Sequence, residues 1–122
     1  MRQHVLVVDD EVDQRELTRE ILEIFGHRVR VASNGREALD QLLTSELPAL
    51  ILLDITMPVM SGREFLHEIA GSFPHLANIP VVVVSAVADF AELEKIYSCV
   101  VAIIKKPMKL EALQSIAKQF AG

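Results

Sequence analysis

The chain has 122 residues, 51% of them hydrophobic, and a formal net charge of −5. This length suits a single domain over residues 1–122 that buries about two-thirds of its unfolded surface. The negative charge argues against direct binding of nucleic acid. The sequence shows no signal peptide and no apolar run of the ~20 residues that cross a membrane, so we expect no membrane contact. The single cysteine, Cys99, rules out an internal disulfide and fits a cytoplasmic location.

Five short apolar segments are predicted to form strands. In chain order they are residues 5–8, 28–31, 50–54, 81–85 and 100–104. Four of them are continuous aliphatic runs, which are typical of strands buried on both faces. The second alternates arginine with valine, as expected of a strand at the edge of a sheet.

Five helices are predicted between and after these strands. Four of them begin with a short polar residue followed three positions later by Glu, a signature of helix N-termini. The pairs are Asp13 and Glu16, Asn34 and Glu37, Ser61 and Glu64, and Asp89 and Glu92. Gly26 is predicted to end the first helix.

Apolar residues recur near a period of 3.6 in each helix, which predicts one face turned to the core. The predicted inner residues are Leu17, Ile21, Leu22, Ile24 and Phe25; Ala38, Leu39, Leu42 and Leu43; Phe65, Leu66 and Ile69; Phe90, Leu93, Ile96 and Tyr97; and Leu110, Leu113, Ile116, Ala117 and Phe120.

The alternation of strands and helices predicts a doubly wound α/β fold, a parallel sheet with helices on both faces. In such sheets the functional site lies at the carboxyl ends of the strands. Four of the five strands deliver polar residues there: Asp9 and Asp10, Asp54, Ser85, and Lys105 with Lys106. An Asp that only caps a turn would account for Asp54 alone, but the recurrence at four strand ends favours a site.

The charge of this cluster indicates its chemistry. Asp9, Asp10 and Asp54 contribute −3, and one lysine reduces this to −2. Two carboxylates ~4 Å apart repel by about 4 kcal/mol at an effective dielectric constant of 20, so a cation is needed. Oxygen ligands without His or Cys favour Mg²⁺. A carboxylate, Mg²⁺, a lysine and a hydroxyl are the parts of a phosphoryl-transfer site, and Asp54, alone on the central strand, suits the nucleophile.

Along its whole length the chain resembles the receiver domains of response regulators in two-component signalling. The resemblance is carried by VVDDE at 7–11, DITMPVMSG at 54–62, VSA at 84–86 and KP at 106–107. It implies a flavodoxin-like (βα)5 three-layer sandwich with strand order 2-1-3-4-5. It also implies a signalling switch that catalyses only its own phosphorylation and dephosphorylation and is not a turnover enzyme.

The same resemblance assigns roles to the site residues. Asp54 would accept a phosphoryl group from a sensor histidine kinase or a histidine phosphotransfer protein. Mg²⁺ would bind Asp10, Asp54 and the backbone carbonyl of Thr56, with Asp9 acting largely through water. Lys106, before a cis bond to Pro107, would contact the phosphoryl group, and Ser85 would move toward it. Lys105 would be a solvated charge on the other side of the strand.

Two departures from the family pattern concern the output of the switch. Ile103 stands where relatives usually have Tyr or Phe, and Cys99-Val100 replaces the usual Gly-Ala. We expect the chemistry at Asp54 to survive both. The uncharged fifth strand, at an edge, predicts an apolar face between the fourth and fifth helices for a downstream effector or for a dimer.

Three other classes of protein compete with this interpretation. A receiver-like interaction module that acts without phosphorylation is the main alternative, although the intact charge cluster argues against it. A phosphatase of the haloacid dehalogenase type would need a second Asp where Thr56 stands. A flavodoxin-like cofactor carrier would need a Gly-rich phosphate loop after the first strand, which the sequence lacks.

Overall fold

A computed structural model describes residues 3–55, 60–86 and 92–122. Its strands are β1 (Val5–Val8), β2 (Val29–Ala32), β3 (Leu50–Asp54), β4 (Val81–Ser85) and β5 (Val100–Lys105). They pair in parallel in the order β2-β1-β3-β4-β5. The predicted α/β class and strand order are confirmed.

The helices alternate with the strands as predicted. They are α1 (Val12–Ile24), α2 (Gly35–Thr44), α3 (Gly62–Ser72), α4 (Glu92–Ile96) and α5 (Leu110–Ala121). A short 3₁₀ helix (Pro74–Asn78), which the sequence analysis did not predict, precedes β4. Among the described residues, no helix is both long and apolar enough to cross a membrane.

The predicted ends of three helices are confirmed by their hydrogen bonds and dihedral angles. The side chain of Asn34 accepts a 2.8 Å hydrogen bond from the backbone N–H of Glu37. Ser61 and Glu64 form the reciprocal capping box at the start of α3. Gly26, which follows α1, has φ +92°, a conformation that favours glycine.

The predicted start of α1 at Asp13 is wrong. The N-cap residue is Glu11, and Asp13 lies in the first turn. The carboxylate of Asp9 accepts the N–H of Glu11, so a residue upstream orders the chain before the helix begins. An acidic residue in the first turn still interacts favourably with the helix dipole. The predicted start of α4 at Asp89, like the inner residue Phe90, lies outside the described residues.

The core consists of two layers of side chains, one on each face of the sheet. Leu6 and Ile51 face α2, α3 and α4, whereas Leu52 and Val82 face α1 and α5. Successive strand residues point to opposite faces, so the aliphatic runs are buried on both sides. The three-layer sandwich is therefore confirmed. Cys99 lies in the first of these layers, where burial raises the pKa of its thiol, as expected of a packed and unreactive cysteine.

Five residues predicted to face the core are exposed instead. Their exposed fractions are 52% for Leu17, 81% for Ile24, 46% for Leu43, 60% for Ile96 and 51% for Leu110. In α1, α2, α4 and α5 the buried face is therefore narrower than the apolar periodicity suggested, whereas all three residues predicted to face the core from α3 are buried. In α1 the fully covered positions are Thr18 and Leu22, and the hydroxyl of Thr18 is satisfied by the carbonyl of Gln14 at 2.9 Å.

Strand β5 is an edge strand, as expected from the strand order. Its register with β4 shifts between Val81 and Val82, which leaves Val101 as an extra residue that is 40% exposed. A bulge of this kind twists an edge away from other strands and discourages edge-to-edge association. Ile103 packs against the core on the α2–α4 side. The proposed effector or dimer face here stays a prediction.

Candidate functional site

Three carboxylates meet at the carboxyl ends of β1 and β3. Oxygen atoms of Asp9, Asp10 and Asp54 lie within 4.8 Å of one another. Asp9 and Asp54 are each only 7% exposed, whereas Asp10 is exposed. Burying two ionised carboxylates is costly unless a cation or hydrogen-bond donors compensate them. These residues could hold a metal ion with oxygen ligands.

The strand pattern explains why Asp9 and Asp54 converge. In β1, Val5 and Val7 face the α1–α5 side, and Asp9 continues that alternation; Asp54 follows Leu50 and Leu52 in the same way. Because β1 and β3 are neighbours in parallel register, both side chains reach the same edge and the same face.

Asp9 is held by several hydrogen bonds. Its N–H donates to the carbonyl of Ala32 at 3.1 Å, which continues the pairing of β1 with β2. Its Oδ1 accepts the N–H of Glu11 at 3.0 Å. Its carbonyl accepts a hydrogen bond from Nη1 of Arg15 at 3.0 Å. The remaining carboxylate oxygen, Oδ2, lies 3.9 Å from Nζ of Lys106.

Lys106 supplies the positive charge of the cluster. Its Nζ lies 3.4 Å from Oδ2 of Asp54, and the side chain is 25% exposed. Its backbone N–H donates to the carbonyl of Ser85 at 2.7 Å, which ties it to the end of β4, and the bond to Pro107 is cis. Lys105 is exposed. Alternation along β5 therefore sends Lys106 to the carboxylates and Lys105 away from them.

Two predicted site residues remain: Ser85, at the end of β4, and Thr56, which follows β3 in the sequence. Ser85 is the last residue of β4 and is 1% exposed. Thr56 lies outside the described residues, so the expected role of its carbonyl stays a prediction. The chain on either side is anchored: the N–H of Gly62 donates to the carbonyl of Ile55 at 3.0 Å, and the N–H of Gly35 donates to the carbonyl of Met60 at 3.1 Å.

Sequence reasoning missed the residues that surround the carboxylates on the α1–α5 side. Gln14, Thr18 and Met108 line a small cavity together with Asp9 and Asp54. Gln14 and Thr18 are four residues apart on α1, so polar residues on the inner face of this helix were the available signal. Arg15 could not be recognised in this way because its partner is a backbone carbonyl.

Chemically, the site places a carboxylate that is suited to nucleophilic attack beside groups that compensate negative charge. A carboxylate oxygen of Asp54 lies beside an ammonium group, and two further carboxylates lie within reach of one shared cation. A phosphoryl group that approached Asp54 would add negative charge. A cation and Lys106 are suited to stabilise it.

Comparison with known proteins agrees with this fold. The chain belongs to the family of response regulator receiver domains, whose model matches residues 5–118. The predicted family is therefore confirmed. Receiver domains of this family act as signalling switches in two-component systems and work with histidine kinases and effectors.

Two curated proteins illustrate the range of relatives. The transcriptional regulatory protein CrdR of Helicobacter pylori is 31% identical over 121 residues, which cover 98% of this chain and 55% of CrdR. The sporulation initiation phosphotransferase F of Bacillus subtilis is 33% identical over 120 residues, which cover 98% of this chain and 85% of that protein. The chain thus spans about half the length of the first relative and most of the second.

A solved structure supports the fold. The response regulator TrrA of Thermotoga maritima, in complex with Mg²⁺-BeF, superimposes with a TM-score of 0.78 at 28% identity. The alignment covers 97% of this chain and 98% of TrrA.

Proposed function

We propose that this chain is a phosphoacceptor switch in which Asp54 receives a phosphoryl group. The observation that carries the proposal is the convergence on Asp54: Nζ of Lys106 lies 3.4 Å from its Oδ2, and the oxygens of Asp9 and Asp10 lie within 4.8 Å. Mg²⁺, held by Asp10, Asp54 and the carbonyl of Thr56 with Asp9 acting through water, would neutralise charge on the phosphoryl oxygens. The complex of TrrA with Mg²⁺-BeF supports this choice of ion.

The proposed transfer requires few groups from the protein. A carboxylate oxygen of Asp54 attacks phosphorus and forms an O–P bond. The N–P bond of a phosphohistidine breaks, and its electron pair stays on the imidazole nitrogen, which takes up a proton from water. Lys106 stabilises the negative charge on the transferred group, and the hydroxyl of Ser85 is suited to donate a hydrogen bond to it. Water later attacks the phosphorus, the bond between phosphorus and the oxygen of Asp54 breaks, and inorganic phosphate leaves. The carboxylate of Asp54 is restored, so the chain returns to its initial state without turning over a separate substrate.

The donor we propose is a sensor histidine kinase or a histidine phosphotransfer protein. The name of the Bacillus relative, a phosphotransferase, is consistent with phosphoryl chemistry on this scaffold. The output would be altered binding of an effector, or a dimer, through the face formed by α4, β5 and α5.

The test is intact-mass measurement after incubation with acetyl phosphate and Mg²⁺. We expect one added phosphoryl group, which is lost in Asp54→Asn and after chelation by EDTA. Asp40→Asn is the matched control, because Asp40 is an exposed carboxylate on α2 outside the cluster. Equal labelling in the presence of EDTA would contradict the metal-assisted mechanism. A wild-type chain that accepts no phosphoryl group would instead favour an interaction module that acts without phosphorylation.

A further inference from the structure

Arg15 is the cation of the site that no motif identifies. It is the fourth residue of α1, and its side chain is 15% exposed. Within the described part of the chain its guanidinium has only a long ion pair, in which Nε lies 3.9 Å from Oε2 of Glu16. Nη1 donates instead to the backbone carbonyl of Asp9 at 3.0 Å. The largely buried Arg15 side chain therefore binds the backbone carbonyl oxygen of Asp9, between β1 and α1.

The position of that oxygen is what matters. The carbonyl of Asp9 belongs to the peptide group that joins Asp9 to Asp10, so a bond to it fixes the orientation of this peptide plane. The N–H of Asp9 is fixed to Ala32 and its carboxylate to the N–H of Glu11. Together with the hydrogen bond from Arg15 to the carbonyl, these contacts fix the peptide groups before and after Asp9. Asp10 is exposed and depends on this backbone to point its carboxylate toward Asp9 and Asp54.

We propose that Arg15 is a positioning residue of the cation site, which holds the Asp9–Asp10 peptide so that both carboxylates face one ion. The inference rests on the proposed function, since it concerns the cation that assists transfer to Asp54. Arg15 itself touches neither the ion nor the phosphoryl group.

Electrostatics and positioning predict opposite effects of removing Arg15. Loss of a positive charge near three carboxylates strengthens their attraction for a cation, so a role limited to charge predicts tighter binding. Loss of a group that orients metal ligands weakens binding, typically by about tenfold to a hundredfold. A role limited to folding predicts an unchanged affinity in the folded fraction. The sign of the change in affinity therefore separates the three roles.

The experiment is calorimetric titration of the whole chain with MgCl₂. Arg15→Met keeps much of the side-chain length and removes the donors and the charge; we expect its Kd for Mg²⁺ to rise about tenfold. Arg19→Met is the control, because it removes the same charge one turn further along α1, from an exposed side chain paired with Glu16 and Glu23. We expect its Kd to stay within about twofold of wild type, since exposed charges are screened.

Arg15→Lys tests whether the role can be rescued. It retains the charge and one donor group but lacks the planar fork of arginine, so its Kd should lie between those of wild type and Arg15→Met. An Arg15→Met chain that binds Mg²⁺ as tightly as wild type, or more tightly, would overturn the inference. If Arg15→Met does not fold, a folded Arg15→Lys chain with the wild-type Kd would overturn it equally.

Failure of the inference can be distinguished from failure of the proposed function. If wild type is phosphorylated on Asp54 and Arg15→Met binds Mg²⁺ normally, only the role of Arg15 is wrong. If wild type binds Mg²⁺ but accepts no phosphoryl group, the proposed function fails, while the ratio of the two dissociation constants still measures positioning.

Discussion

Lys106 and Arg15 are two cations beside one acidic cluster, and they differ in what they hold. Lys106 points its ammonium group at carboxylate oxygens of Asp54 and Asp9, at 3.4 and 3.9 Å. Arg15 binds the backbone carbonyl of Asp9. On the proposed mechanism, the first interacts with charge that develops during transfer, and the second acts earlier, by fixing the loop. Their substitution should therefore change Mg²⁺ affinity in opposite directions.

We expect Lys106→Ala to slow phosphorylation of Asp54 by acetyl phosphate by about a hundredfold, the scale of losing one donor that stabilises transition-state charge. Removal of its positive charge should also tighten Mg²⁺ binding, because the site becomes more negative. The measurement is the initial rate of mass increase at saturating Mg²⁺, together with calorimetric titration.

Lys105→Ala is the matched control for this prediction. Lys105 is the adjacent residue and carries the same charge, but it is exposed and points away from the carboxylates. Its rate should stay within about twofold of wild type, as for other screened surface charges. Comparable defects in both variants would mean that neither lysine acts directly on the transferred group.

At the scale of elements, α2 and the segment after β3 approach each other closely at a glycine. Gly35 is the first residue of α2, and its N–H donates to the carbonyl of Met60. A Cβ built on Gly35 would lie 2.5 Å from that carbonyl oxygen and 2.8 Å from Cγ of Met60. Met60 itself has φ +49°, a left-handed conformation that is unfavourable for a residue with a side chain.

Two glycine substitutions test this contact. Gly35→Ala should lower the free energy of unfolding by about 1–3 kcal/mol, the usual cost of overpacking. Gly71→Ala should raise it by about 0.5–1 kcal/mol, because Gly71 lies within α3 and a Cβ there meets nothing within 4 Å. Urea unfolding of both variants at one pH gives the two values. A Gly35→Ala chain as stable as wild type would show that Met60 can move away from the added Cβ without a loss of folding free energy.

The elements also show which sequence signals were reliable. Asn34 and Ser61 were predicted correctly as N-caps because their hydrogen bonds lie within one helical turn. Asp13 was predicted wrongly because the start of α1 depends on Asp9, a residue outside the helix. The 3₁₀ helix was missed, although Pro74 at its first turn was a usable signal. Caps whose hydrogen bonds lie within one helical turn were recognised in the sequence, whereas the start of α1, which involves Asp9 outside the helix, was not.

At the scale of the whole molecule, the fold and the acidic cluster could be predicted because both follow from the parallel sheet. Aliphatic runs specify strands, and parallel strands bring their final residues to one edge. Exposure was harder to predict: Ile24 fits the apolar period of α1 but is 81% exposed. The exposed fraction of a helix residue depends on the side chains that pack around the helix, and the apolar periodicity of the helix does not describe those side chains. Arg15 could not be predicted for a similar reason, because it binds a backbone carbonyl outside its own helix.

His4 lies at the start of β1, at the other end of the sheet from the acidic cluster, and is 2% exposed. Glu46 lies near its Nδ1, at 3.7 Å, and also binds Arg28 at 2.8 Å and Arg30 at 3.5 Å. Burial, and after it the charge of Arg30, lowers the pKa of His4 below 6.5, and Glu46 opposes this only in part. The folded chain therefore keeps His4 neutral at a pH where the unfolded chain protonates it.

We expect this histidine to make stability depend on pH in the range where it titrates. Because the pKa of His4 in the folded state is lowered, the unfolded state binds more protons, and stability falls as pH drops below the unfolded value of about 6.5. The measurement is the free energy of unfolding at about pH 8 and about pH 5.5, above the range where most carboxylates titrate. His4→Gln should lose less stability between these two values than wild type does. His67→Gln is the control, since His67 is exposed on α3 and should leave the wild-type pH dependence unchanged. Equal losses in wild type and His4→Gln would mean that protonation of His4 carries no cost in the folded chain.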